Sequence, residues 1–190
     1  MGTITSAAAA AAGQAIPTSS GEITVADILC GDGRGVTIPL ADPLYKALSA
    51  MFGIPEAALV DRGKKEQTID WIGQSPRRLL QTLGTEWGRQ VIGDDIWARI
   101  CLRRAAVSLG AGFKVVAVPD VRFDNEALSI REAGGKIVRI VRPSGCVTSE
   151  AMRHSSEAGI SDDLIDATIV NGGSMDELVE AVKATMKEYL

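Results

Sequence analysis

At 190 residues, 46% hydrophobic and 23% charged, the chain can bury a substantial core as one domain and has an ordinary globular composition. Its formal net charge of -4 argues against binding nucleic acid by bulk charge, although local arginine clusters can still gather small anions. Cys30, Cys101 and Cys146 are far apart, odd in number and without CxxC spacing, so neither a zinc site nor a disulfide framework is indicated, and a reducing, cytoplasmic compartment fits best.

The N-terminal "MGTITSAAAAAAGQAIPTSSG" lacks a basic start, and its alanine run is too short to span a membrane. Residues 1–20 read as a low-complexity segment or altered loop ahead of a domain over 21–190. "GTITS" is the one strand candidate within the segment. A helix over Val25–Cys30 should end at "GDGRG". "VTIPL" (36–40) reads as a strand, followed by a helix over Pro43–Phe52.

Two long helices should follow, near Pro76–Ile92 and Asp95–Leu109. Ser75 is an N-cap candidate with Pro76 at the first helical position. At 100° per residue, Leu80, Leu83, Trp87 and Val91 share one face, expected to be core. Arg78, Thr82, Thr85 and Arg89 form a stripe opposite, which is either a solvated face or a clamp for an extended anion. Only Glu86 is a carboxylate close by in sequence. Gly84 and Gly88 weaken the helix without ending it, a sign of close approach by another group.

"KVVAV" (114–118) is a continuous apolar run, as a strand covered on both faces should be. It leads into "PDVRFDNEA". There Asp120 could orient hydrated Mg²⁺ and Arg122 could neutralise phosphate charge; equally, Asp120 or Asp124 could cap the next helix. "KIVRIV" (136–141) and "ATIV" (167–170) are further strands. Between them, Arg142 and Arg153 could close over a nucleotide, and the lone His154 does not make a metal site. Ser174 and Glu177 form a capping box for the last helix. This strand–helix alternation predicts a parallel α/β sheet with helices on both faces and ligands at the strands' carboxyl ends.

The ordered motifs "LADPLYKAL", "SPRRLLQTLGTEWGR", "DDIWARI", "VPDVRFDNEA", "IVRP", "HSSE" and "DDLIDATIVNGGS" resemble the phage-type deoxynucleoside monophosphate kinases from about Thr24 onward. The resemblance implies a P-loop NTPase-like three-layer sandwich with a mostly parallel five-stranded sheet and a small lid. It implies transfer of the ATP γ-phosphoryl group to a dNMP with Mg²⁺, in the host cytoplasm if the protein is phage-encoded. Nucleic-acid and membrane partners are not expected; a homodimer is compatible with the resemblance, although the residues do not give the oligomeric state. Residue by residue, Asp42, Lys46, Arg77, Arg78, Trp87 and Arg89 match the dNMP-binding region. Asp120, Arg122 and Arg142 match the catalytic positions, and Gly21, Thr24, Arg142, His154, Ser156 and Glu157 the ATP side. Mg²⁺ would be reached through Thr24 and Asp120 rather than through a dedicated ligand set.

The chain departs from the family at the phosphate loop. Ser20, Gly21, Thr24 and "VADIL" are kept, but Glu22 occupies the lysine position and Ile16 the first-glycine position. A glutamate there swaps attraction to a polyanion for repulsion, each charge contributing about 4 kcal/mol at 4 Å and an effective dielectric near 20. An active kinase, an impaired nucleotide-binding relative and a kinase acting on a modified base in DNA are the three readings that result. Base preference is not legible in the residues.

Overall fold

The computed structural model describes residues 3–4, 34–61, 63–142 and 159–189, with the backbone alone for 3–4. By contact it divides into two units, one of Met1–Pro39 with Ala98–Leu190 and the other of Leu40–Trp97.

In the first unit, the apolar run around residue 116 becomes strand β3, Val115–Ala117. It is buried throughout and central in a parallel sheet of order β1-β3-β2. β1, Thr3–Ile4, pairs with Val115 and Val116 on one side. β2, Gly35–Thr37, pairs with Val115 to Ala117 on the other, and the Ile38 N–H extends the ladder to the Ala117 carbonyl at 2.7 Å. Within the "GTITS" candidate, Thr3 and Ile4 are thus in a strand. Val115–Val118 are at most 2% exposed, as expected where both faces of a strand are covered.

Helix α4, Ile96–Gly110, buries Ala98, Cys101, Ala105 and Ser108, at spacings of three, four and three along one face. Helix α5, Asp124–Glu132, buries Glu126, Ala127 and Ile130. Strands β4, Val138–Val141, and β5, Ala167–Val170, form a second parallel sheet in register from Val138↔Ala167 to Val141↔Val170. Helix α6, Met175–Met186, packs Val182 and Met186 onto Ile169. The α6 capping box is formed: Ser174 Oγ accepts from the Glu177 N–H at 3.3 Å and the Glu177 carboxylate accepts from the Ser174 N–H at 2.7 Å.

The expectation of a single five-stranded sheet is not met among the described residues. Five parallel strands are present, but in sheets of three and two.

In the second unit, helix α1, Asp42–Phe52, ends at Gly53, whose φ of 65° is the left-handed cap conformation that lets its N–H reach the Ser49 carbonyl at 2.9 Å. Helix α2 is Glu56–Val60, and helix α3 is Pro76–Gln81, with Ser75 Oγ accepting from the Arg78 N–H at 3.3 Å as the cap residues predict. From Thr82 to Ile92 the helix changes type and becomes a π-helix. That corrects the expected core face. Trp87 and Val91 are 50% and 71% exposed, whereas Gly84 and Gly88 are buried.

The wider i→i+5 turn rotates the residues away from the positions a 100° helix assigns. Glycines permit it, because the backbone here lies against other side chains. A Cβ on Gly84 would stand 3.2 Å from Leu44 Cδ1, and one on Gly88 would overlap the Trp97 indole. The Trp97 Nε1–H also donates to the Gly84 carbonyl at 2.8 Å, fixing the site where the helix widens. The close approach that the glycines announce is thus made by Leu44 and Trp97. Among the described residues no helix is long and apolar enough to cross a membrane.

Candidate active site

In Leu40–Trp97 the sequence concentrates cations on two elements. On α1, Asp42 and Lys46 lie one turn apart and pair at 2.9 Å. On α3, Arg77 and Arg78 are both exposed, and each has a carboxylate. Arg77 Nε pairs with Glu66, eleven residues earlier, and Arg78 Nη1 pairs with Glu86 at 2.6 Å. Glu86, the one carboxylate close by in sequence, is thus taken by Arg78, and Glu66 reaches Arg77 because the chain doubles back between α2 and α3. Arg89, in the π segment, is half-buried and donates to the Asp94 carbonyl at 3.2 Å. The straight Arg78–Arg89 stripe depends on an unbroken α-helix, so it does not survive the change of helix type at Thr82. Trp87 is half exposed, a ring face that a planar base could cover.

Sequence reasoning missed Tyr45, Lys65 and Glu66. The turn from Asp61 carries the last two: Asp61 Oδ1 accepts from the Gly63 and Lys64 N–H groups at 2.8 and 3.0 Å. The Arg77 N–H then donates to the Lys65 carbonyl at 2.9 Å, tying the turn to the start of α3. The charged run "KKE" over 64–66 was the available signal.

In the first unit, Asp120 follows the carboxyl end of β3 by three residues and is half-buried. Burial, then the field of the Asp120 carboxylate, pushes the Cys101 thiol up to about 12, with Glu126 adding to it and Arg104 opposing. A negative field thus reaches from the strand end into the packing beneath it. Arg122 is exposed. The capping box at the start of α5 is made by Glu126, and Asp124 is used elsewhere. Glu126, only 4% exposed, reaches back so that its carboxylate accepts from the N–H groups of Arg122 at 2.8 Å and Phe123 at 3.2 Å. Asp124 instead accepts from the Ser161 N–H at 2.8 Å and hydroxyl at 2.5 Å, and these bonds hold its carboxyl below the ordinary value.

Arg142 is exposed immediately after β4, again at a strand's carboxyl end. The segment that returns to β5 is held by Arg139, which pairs with Asp162 at 2.5 Å and donates to the Ile160 carbonyl at 2.6 Å. Gly21, Glu22, Thr24, His154, Ser156 and Glu157 lie outside the described residues. So do the expected Val25–Cys30 helix and most of the expected lid. Among the described residues no group of three or more His, Cys, Asp or Glu side chains is arranged to hold a metal ion by itself.

Comparison with known proteins supplies the family. The model of the deoxynucleotide monophosphate kinase family matches residues 62–182, from the turn before α3 into α6. A relative from Acanthamoeba polyphaga mimivirus, named for the same family, is 27% identical over 180 residues, covering 86% of this chain and 89% of that protein. The deoxynucleotide monophosphate kinase of Enterobacteria phage T4 is 32% identical over 113 residues, 60% of this chain and 46% of the phage protein. The deoxynucleoside-5'-monophosphate kinase of Escherichia phage T5 is 34% identical over 112 residues, 56% of this chain and 43% of that protein. The match therefore spans nearly all of the viral relative but under half of each phage relative. With a family match over more than half of its length, the chain belongs to the deoxynucleotide monophosphate kinase family.

Proposed function

We propose that the protein transfers the γ-phosphoryl group of ATP to a deoxynucleoside monophosphate, giving ADP and a dNDP. The observation that carries this reading is the family match over 62–182, which contains the α3 arginines, the β3 strand end and the return segment to β5. The half-exposed Trp87 and the cations Lys46, Arg77, Arg78 and Arg89 would hold base and phosphate of the acceptor. Asp42, Glu66 and Glu86 would keep those cations ordered until the phosphate takes them over.

The acceptor phosphate is already an oxyanion at neutral pH, so no general base is needed. An acceptor oxygen attacks the γ-phosphorus in line while the bond to the ADP oxygen breaks. The residues' work is positioning and charge compensation. Arg122 and Arg142, each past the carboxyl end of a strand, would balance charge on the transferred group. Glu126 would keep the Arg122 backbone fixed.

A single half-buried carboxylate, Asp120, suits Mg²⁺, which keeps several waters and shares phosphate oxygens instead of needing an all-protein cage. Such an ion, when bound, draws charge from the β- and γ-phosphates. Thr24 is its proposed second contact, and Gly21, His154, Ser156 and Glu157 are the proposed ATP contacts. The lid, the joining of the two sheets into one layer between helices, the 21–190 domain boundary and a homodimer belong to the same proposal.

Glu22 favours a second reading, a nucleotide-binding relative with impaired transfer, because, if the phosphate loop aligns as the resemblance implies, it would set a negative charge beside the ATP phosphates. A coupled assay with ATP, Mg²⁺ and each dNMP separates the two, run beside Glu22→Lys and Glu22→Ala. Turnover by the natural chain supports the kinase reading. Turnover only in Glu22→Lys, with dNMP binding intact in the natural chain, supports the impaired one.

A further inference from the structure

Each cation proposed for the acceptor on α1 and α3 has its own carboxylate: Lys46 faces Asp42, Arg77 faces Glu66 and Arg78 faces Glu86. Lys65 differs. Its ammonium donates to the Tyr45 hydroxyl at 2.9 Å and stands 5.4 Å from the centre of the same ring. Both contacts are to a neutral group, so the charge is held in position without being cancelled by an acid among the described residues. Of the three ammonium N–H donors, the hydroxyl takes one.

The mount is firm. The Lys65 N–H donates to the Asp61 carbonyl at 2.9 Å, and the Lys65 carbonyl accepts from the Arg77 N–H at the same distance. The side chain is half-buried, and its partner Tyr45 directly precedes Lys46 on α1. A long flexible cation has thus lost much of its conformational freedom before any ligand arrives, which lowers the entropic cost of binding.

We propose that Lys65 is a further phosphate-binding residue, poised by Tyr45 to donate to the dianionic monophosphate of the acceptor. The inference rests on the reading of the chain as a dNMP kinase, and it adds a cation that neither composition nor helical spacing singled out. A lysine whose charge is uncompensated gains more from a phosphate than one that must first leave its carboxylate. Lys65 would therefore discriminate for the acceptor phosphate, with Tyr45 as its positioning residue.

The test is calorimetric and kinetic, with the four common dNMPs and ATP as probes and the full chain as protein. Lys65→Met should weaken dNMP binding about tenfold and raise the dNMP KM equally, with kcat and the ATP KM unchanged. Lys65→Arg should recover most of the loss. Tyr45→Phe, which removes a single oxygen and keeps the fold testable if Lys65→Met does not fold, should cost about threefold in the same direction. Unchanged dNMP affinity in Lys65→Met and Tyr45→Phe would overturn the proposal, as would an equal loss for ATP accompanied by a fall in Tm, the mark of a purely structural role. A natural chain that binds no dNMP sinks the functional reading and this inference with it. A natural chain that binds and turns over dNMP while the variants match it sinks this inference alone.

Discussion

The two regions with candidate chemistry hold their charges in opposite ways. In Leu40–Trp97, Arg77 and Arg78 rest on Glu66 and Glu86 through side-chain pairs whose members are 43–63% exposed. Such pairs contribute only about 0–1 kcal/mol each, so a phosphate can displace the carboxylates at little cost. At the β3 strand end the acids are held by backbone and hydroxyl donors instead: Glu126 by two N–H groups and Asp124 by Ser161. On the proposed kinase reading, the exposed pairs of the first region would exchange partners on binding while the second region keeps its own. That division suits an enzyme in which the acceptor arrives and leaves while the groups around the transferred phosphoryl remain aligned.

The strand end gives the largest expected effect. Asp120→Asn keeps the shape and removes the charge, and it should lower kcat by about 100-fold or more. Steady-state kinetics over a Mg²⁺ titration would check this, with an increased Mg²⁺ requirement as the accompanying sign.

Gly88→Ala should act on the fold of the other region. Its Cβ would overlap the Trp97 indole, and relief requires moving a residue that is 7% exposed and bonded to the Gly84 carbonyl. Overpacking should cost about 1–3 kcal/mol, partly offset by about 1 kcal/mol of helix propensity, read as a lowered urea midpoint.

The exchangeable pairs can be tested from both sides. Arg78→Ala should raise the dNMP KM about tenfold with Tm unchanged, because a cation is lost but only a surface pair is broken. Glu86→Gln should do the reverse and lower the dNMP KM by up to about threefold, since the arginine no longer has to leave a carboxylate. A rise in KM for Glu86→Gln would mean that the pair positions Arg78 more than it restrains it.

The smallest effect concerns acid. The folded carboxyl of Asp124 titrates below its ordinary value because Ser161 donates to its charged form. Its stabilising contribution is therefore present above the unfolded carboxylate pKa and fades as pH falls through the lowered folded value. Asp124→Asn should leave a shallower decline of Tm on the acid side, seen in melts stepped downward from pH 6.

Much of the fold was legible where a local pattern suffices. "KVVAV" announced a strand buried on both faces, "ATIV" matched β5 residue for residue, and Ser174 with Glu177 announced the start of α6. The π-helix was signalled only by Gly84 and Gly88. Its cause lies in Trp97, thirteen residues beyond the carbonyl it bonds, which no periodicity count reaches. The same distance problem hid the site's pairings. Glu66 reaches Arg77 and Lys65 reaches Tyr45 through a turn whose path the sequence does not spell out. Asp124, weighed as a cap, serves Ser161, while Glu126 three residues past Phe123 does the capping. Candidate residues could be read from residue type and motif order, but their partners depend on tertiary return of the chain.

Transfer of label from γ-³²P-ATP to each dNMP, in Mg²⁺ and with products separated by chromatography, tests the central claim most directly. Labelled dNDP should form in proportion to ADP, and that product should be lost in Asp120→Asn. Label that stays in ATP, or appears only as inorganic phosphate while the dNMP binds unchanged, would contradict that claim.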